Sequence, residues 1–152
     1  MAVREFSANS LQTINANGVF IFENEPVPGN GLIFHRDESG IFRLGNRYFM
    51  QNRCLYCRRS AFYRVSFGAN IQVPTGGTAE EIGVSIFVDG EEDPSSRMLY
   101  TPAAVETFGN VSTSIIVEVP WMCSCSSVSV RSVSSQAIQA QNVNLIIEEL
   151  VR

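Results

Sequence analysis

Apolar residues recur at every second position along most of this chain, and that period belongs to half-buried strands rather than to amphipathic helices. In AFYRVSFGANI (61–71), Ala61, Tyr63, Val65, Phe67, Ala69 and Ile71 share one face, with Phe62, Arg64, Ser66, Gly68 and Asn70 on the other. EIGVSIFVDG (81–90) sets Ile82, Val84, Ile86 and Val88 against Gly83, Ser85, Phe87 and Asp89. NVSTSIIVEVP (110–120) sets Val111, Thr113, Ile115 and Val117 against Ser112, Ser114, Ile116 and Glu118. SSVSVRSVSS (126–135) alternates in the same way, and its serines and arginine read as the exposed face of a strand. NVNLIIEELV (142–151) ends the pattern, with Leu145 and Ile147 on one face and Ile146 and Leu150 on the other.

Turn residues separate these runs. RDESG (36–40) lies between GLIF and GIFRL as a hairpin requires, and VPTGGT, DGEEDPSS and TPAA break the alternation with Gly and Pro. SSQAIQAQN (134–142) is the one stretch with helix-like composition; short and placed between two strong strands, it reads as a loop. Eight to ten short antiparallel strands in 152 residues predict one all-β domain, a sandwich or barrel over 1–152, with 1–17 a candidate extended N-terminal arm.

The formal charge of −4 argues against a nucleic-acid partner. All eleven basic residues are arginine. MAVREFSANS carries charge where a secretory signal needs an apolar stretch, and apolar runs such as VFIF (19–22) are too short to cross a bilayer. Synthesis in a reducing cytoplasm is therefore expected, where cysteines are less often used for disulfides.

The order of GLIFHRDESGIFRL, YRVSFGANI, IGVSIFVDGE and the terminal NVNLIIEELV resembles that of the trimeric jelly rolls, the tumour-necrosis-factor-like and complement-globular-head-like superfamily. VSFGANIQVPTGGT, followed by VDGE and NLIIE, is similar to its bacterial branch: the C-terminal domains of collagen-like spore-surface proteins and stand-alone bacteriophage and prophage proteins. The resemblance spans nearly the whole chain and implies a jelly-roll sandwich that assembles as a homotrimer. No Gly-X-Y stalk accompanies it, which turns the expectation from a spore coat toward a free-standing trimer.

Few residues suggest chemistry. His35 is the only histidine, and a single hydrogen bond to a neighbouring carboxylate would satisfy it. PTGGT lacks the lysine and helix of a phosphate loop. Glu91, Glu92 and Asp93 form a carboxylate-dense turn without the ligand spacing of an EF-hand. With no base–nucleophile set, no enzymatic activity is expected.

The four cysteines are Cys54, Cys57, Cys123 and Cys125. The resemblance makes 61–71 and 110–119 antiparallel neighbours, which would bring both pairs to one end of the molecule. Three uses stay open there: packed thiols, a structural zinc held by four thiolates, or a crosslink between the two segments. Arg53, Arg58 and Arg59 would offset thiolate charge. Beyond that zinc, no cofactor is expected.

Phe62, Phe87, Ile116, Ile146 and Leu150 oppose the core-facing positions, and in a monomer they would form an exposed apolar patch of the kind that marks interfaces. They are the expected trimer interface. The expected function is a structural or adhesive trimer of a bacteriophage virion, decorating a head or capping a fibre and anchored to a scaffold protein. The second expectation is a glycan- or receptor-binding module on a bacterial or phage surface, with loops 89–96 and 101–109 supplying contacts such as Glu106 and Phe108.

Overall fold

A computed structural model describes residues 2–29, 31–36, 39–50, 59–122 and 125–151. The strands are β1 (Val3–Ala8), β2 (Gln12–Ile14), β3 (Asn24–Val27), β4 (Ile33–His35), β5 (Ile41–Gly45), β6 (Ala61–Gln72), β7 (Ile82–Val88), β8 (Glu91–Glu92), β9 (Met98–Tyr100), β10 (Gly109–Val119), β11 (Cys125–Ser132) and β12 (Ile138–Leu150). A four-residue helix, α1 (Arg47–Met50), and a 3-10 turn at Pro94–Ser96 complete the described elements. The excess over the eight to ten strands expected comes from short pieces of two or three residues, such as β2, β8 and β9.

Two antiparallel sheets face each other in a jelly-roll sandwich. The first runs β10-β6-β12-β1-β3, with β2 also on β12; the second runs β4-β5-β11-β7-β8, with β9 also on β7. The inward faces read from the sequence fill the space between them. Tyr63, Val65, Phe67, Ala69 and Ile71 of β6, Ile82, Val84 and Ile86 of β7, and Leu145 and Ile147 of β12 are all buried. Aromatic rings close one part of this core: Phe42 lies 4.6 Å from Phe6 and 5.4 Å from Phe22. The β4–β5 hairpin forms as expected, pairing Ile33 with Leu44 and His35 with Phe42.

Three readings of the sequence are corrected. The segment 1–17 is not an extended arm: β1 pairs with β12 from Val3↔Glu148 to Ala8↔Val143, and β2 pairs with β12 as well. Phe6, Ala8 and Ile14 are buried, so apolar burial holds this segment in the first sheet. The stretch 134–142 is a loop only at its start, because Ile138 to Gln141 already belong to β12. The ladder of β12 with β6 shifts register between Gln141 and Asn144, and Asn142 takes a positive φ of 52°. Such a bulge inserts one residue, so inward positions change from 138 and 140 to 143, 145 and 147. The alternation changes phase there, which hides the strand in the sequence.

The third correction concerns the serines of β11. Ser126 and Ser132 are buried on the same inward face as Val128 and Val130, and Ser129 and Ser134 are also buried. The Ser134 hydroxyl accepts from the Gly83 amide at 2.9 Å and donates to the Gly83 carbonyl at 3.1 Å. The Ser132 hydroxyl accepts from the Ser134 amide at 3.2 Å. A short hydroxyl can satisfy itself on nearby backbone, and so it stands inside without an unpaired polar group.

Candidate interaction surface

The register of the first sheet assembles its outer face row by row. Ser112–Gly68–Asn144, Ser114–Ser66–Ile146–Glu5, Ile116–Arg64–Glu148–Val3 and Glu118–Phe62–Leu150 run across β10, β6, β12 and β1. Four of the five residues expected at the interface therefore meet on one face. Ile116 is 53% exposed and Phe62 and Ile146 are each 37% exposed, while Leu150 is half-buried beside Phe62. Phe87 does not join them: it lies on the outer face of the second sheet, under the Arg131 guanidinium at 5.4 Å.

The polar groups among these apolar side chains are mostly paired within the sheet. Arg64 lies 3.7 Å from Glu148, the Ser66 and Ser114 hydroxyls are 3.0 Å apart, and Asn144 donates to Glu5 at 2.7 Å. Small side chains at Ser66, Gly68, Ser112 and Ser114 leave a shallow depression of about 420 Å³ beside Ile116 and Ile146. A paired polar group loses less than a free one when a partner surface displaces water. The face is thus apolar in patches, locally neutralised, and concave at one end.

At the other end of the sandwich, one buried residue gathers three chain segments. The Asn46 amide nitrogen faces the carbonyls of Arg59, Val119 and Pro120 at 3.1–3.2 Å, and its carbonyl oxygen caps α1 through the amides of Tyr48 and Phe49. Next to it, Arg47 grips the buried Glu149 carboxylate with contacts of 2.5 and 2.6 Å, and the Ala2 amide adds a bond of 3.1 Å. Burial pushes the Glu149 carboxyl up, but the bonds from Arg47 and Ala2 outweigh it and hold the group below the usual carboxylate range. Tyr63, buried alongside, donates to the Gly45 carbonyl at 2.5 Å, and burial with the nearby Glu149 charge raises its phenol above the ordinary value. Neither Asn46 nor Glu149 was singled out in the sequence. An asparagine before a short helix and a glutamate within an apolar strand were the available signals.

Cys54, Cys57 and Cys123 lie outside the described residues; Cys125 is exposed and pairs with Gly45. The strands flanking them are antiparallel neighbours, Ala61 opposite Val119. Among the described residues no group of three or more His, Cys, Asp or Glu is arranged to hold a metal ion. The acidic turn is engaged internally instead. Glu92 meets Arg97 and the Ser85 hydroxyl, both at 2.7 Å, which lowers its carboxyl, and Asp93 caps the 3-10 turn through Ser95. His35 stacks on Phe42 at 4.5 Å, and its Nε2 is 2.8 Å from the Ser39 carbonyl, a backbone partner in place of the expected carboxylate. Glu106 accepts from Thr75, and Phe108 stands exposed at the start of β10.

No protein-family model and no curated protein matches the sequence. Solved structures match its fold over almost the full length. Murine APRIL superposes with a TM-score of 0.63 at 8% identity, covering 98% of each chain. The globular domain of zebrafish complement 1qA gives 0.60 at 8% identity, covering 99% of this chain and 97% of that one. PRD1 vertex protein P5 gives 0.51 at 11% identity, covering 99% and 97%. The chain therefore has the jelly-roll fold of the tumour-necrosis-factor-like and complement-globular-head-like proteins.

Proposed function

We propose that this protein is a non-enzymatic structural module that assembles as a homotrimer through the outer face of its first sheet and serves in a bacteriophage virion, as a head decoration or fibre head. The observation that carries assembly is the convergence of Phe62, Ile116, Ile146 and Leu150 on adjacent rows of β10, β6 and β12. Each large apolar side chain moved fully out of water stabilises by about 1.5–3 kcal/mol, and three copies multiply the gain. A closed threefold arrangement buries such a patch without leaving an open end. The virion role is supported by a full-length fold match to a vertex protein.

Ile116→Asp tests the interface. Ile116 is largely exposed in the single chain, so the substitution leaves the core intact, whereas in the assembly it buries an unpaired charge. Its solution mass should fall to that of one chain with a strand-type circular dichroism spectrum retained; an unchanged oligomer mass would exclude this face. Mass spectrometry of purified virions from the source of the gene should find peptides of this chain, and their absence contradicts the virion role.

A second reading, a glycan-binding surface module, is favoured by one observation: the outer face of the second sheet carries exposed aromatic and arginine side chains together.

A further inference from the structure

We infer that the outer face of the second sheet is a binding track for a carboxylate-bearing oligosaccharide. The inference rests on the glycan-binding reading above and names its site and ligand class. Register places Phe34, Arg43 and Ser127 in one row across β4, β5 and β11, and Ile41, Ser129 and Phe87 in the next across β5, β11 and β7. Phe34 and Ile41 are each 49% exposed, and Arg36 and Arg43 are exposed beside them. Phe34, His35, Arg36, Ser39, Ile41 and Arg43 line an open depression of about 510 Å³.

Three features point to an acidic sugar. First, Arg36 and Arg43 form no ion pair among the described residues, although the chain carries a net charge of −4. The acidic groups nearest in register are already engaged: Asp89 by the Ser127 amide at 2.9 Å, and Glu92 by Arg97 and Ser85. Asp37 and Glu38, which follow Arg36, lie outside the described residues. A guanidinium presents a rigid fork that matches a carboxylate in two parallel hydrogen bonds. Second, apolar side chains stand among these guanidinium groups: the exposed Phe34 and Ile41 near Arg43, and the half-buried Phe87 beneath Arg131, whose Nε donates to Ser129 at 3.2 Å. The exposed Phe34 ring next to charged hydrogen-bond donors suits a ligand with apolar C–H faces and carboxylate edges, as an acidic pyranose has. Third, β4 and β7 stand three strand intervals apart, about 14 Å at the usual spacing, which fits an extended chain of sugars better than a single ring. The site is shallow, so one copy binds weakly. Assembly through the first sheet leaves this face free on every protomer, and a trimer gains by avidity.

The test is retention of the purified protein on an array that carries uronate- and sialate-bearing oligosaccharides beside the same oligosaccharides with their carboxyl groups reduced to alcohols, and poly-glutamate as an acidic peptide. Retention is expected on carboxylated saccharides, at least tenfold weaker on the reduced set, and weakened by salt. Arg43→Ala and Phe34→Ala, both exposed positions, should each cut retention at least tenfold while circular dichroism and solution mass stay unchanged. Arg43→Lys, which keeps the charge and loses the fork, should recover only part of it. The Ile116→Asp form should bind more weakly but remain sensitive to Arg43→Ala, which separates this site from assembly. Equal retention on the reduced set, no retention on any carboxylated saccharide, retention indifferent to both alanine variants, or equal retention on poly-glutamate would overturn the inference.

Discussion

Asn46 concentrates more of the fold than any other single polar side chain described. Its amide nitrogen meets the carbonyls at the end of β10 and just before β6, and its oxygen starts α1. Removing it takes this donor from the buried Val119 carbonyl and the part-buried Arg59 and Pro120 carbonyls, and a buried group so left costs about 1–3 kcal/mol. Asn46→Ala is expected to lower stability by about 3 kcal/mol, a fall in melting temperature of about 6–12 °C at fixed protein concentration. Asn46→Asp should be worse, because a carboxylate would face the same carbonyls; a melting temperature equal to the parent's would contradict this. Glu149 gives the pH dependence. Its carboxyl is lowered in the folded state, so the stability that it supplies is complete above the ordinary glutamate value of about 4.3 and is lost as pH falls through the folded value. Glu149→Gln should therefore be less stable than the parent at pH 7, with the gap closing as the solution is acidified in urea titrations. A gap that widens in acid would reverse the assignment. The Glu92–Arg97 pair is exposed on the arginine side and should add little to this curve.

Among elements, the strands with unbroken alternation were legible in the sequence. β6, β7 and β10 carry the inward faces read from them, because those faces are apolar in an antiparallel sheet except for Thr113 of β10. Three stretches were not legible, each for a physical reason. The bulge at Asn142 reverses the phase of β12, and β1 carries Phe6 beside the charged Arg4 and Glu5, which mask a strand that lies inside the sheet between β12 and β3. Ser132 at the end of β11 and Ser134 just beyond it bond to backbone and so can stand inside. In the interaction surface, the period told which side chains face out, but only the register showed that Phe87 belongs to the other sheet. Hydrogen exchange should follow the same order. Amides of β6, between β10 and β12, should be the slowest, and those of the edge strands β4 and β8 fast; protection of β4 equal to that of β6 would contradict the layer order. Cys125 pairs with Gly45, next to Asn46, and we expect the four cysteines to fasten loops at that end. Replacing Cys54, Cys57, Cys123 and Cys125 with serine should lower the melting temperature and leave the assembly mass unchanged, since a core of this size folds without a staple. Loss of assembly in that variant would contradict a fastening role, and elemental analysis of the parent distinguishes zinc from thiols or a crosslink.

At the scale of the whole molecule, the two sheets present different outer faces. The first sheet has an outer face of clustered apolar side chains between paired polar ones, suited to contact with copies of the same chain. The second carries exposed Phe34, Ile41 and Arg43 on the outer side of β4 and β5. Self-association is the claim on which the structural role depends, and the mass of the unmodified protein in solution tests it most directly. By multi-angle light scattering at micromolar concentration, the expected mass is about three times the 16.8 kDa of one chain. A mass of 16.8 kDa under those conditions would contradict the trimer and the use of the first sheet as its interface.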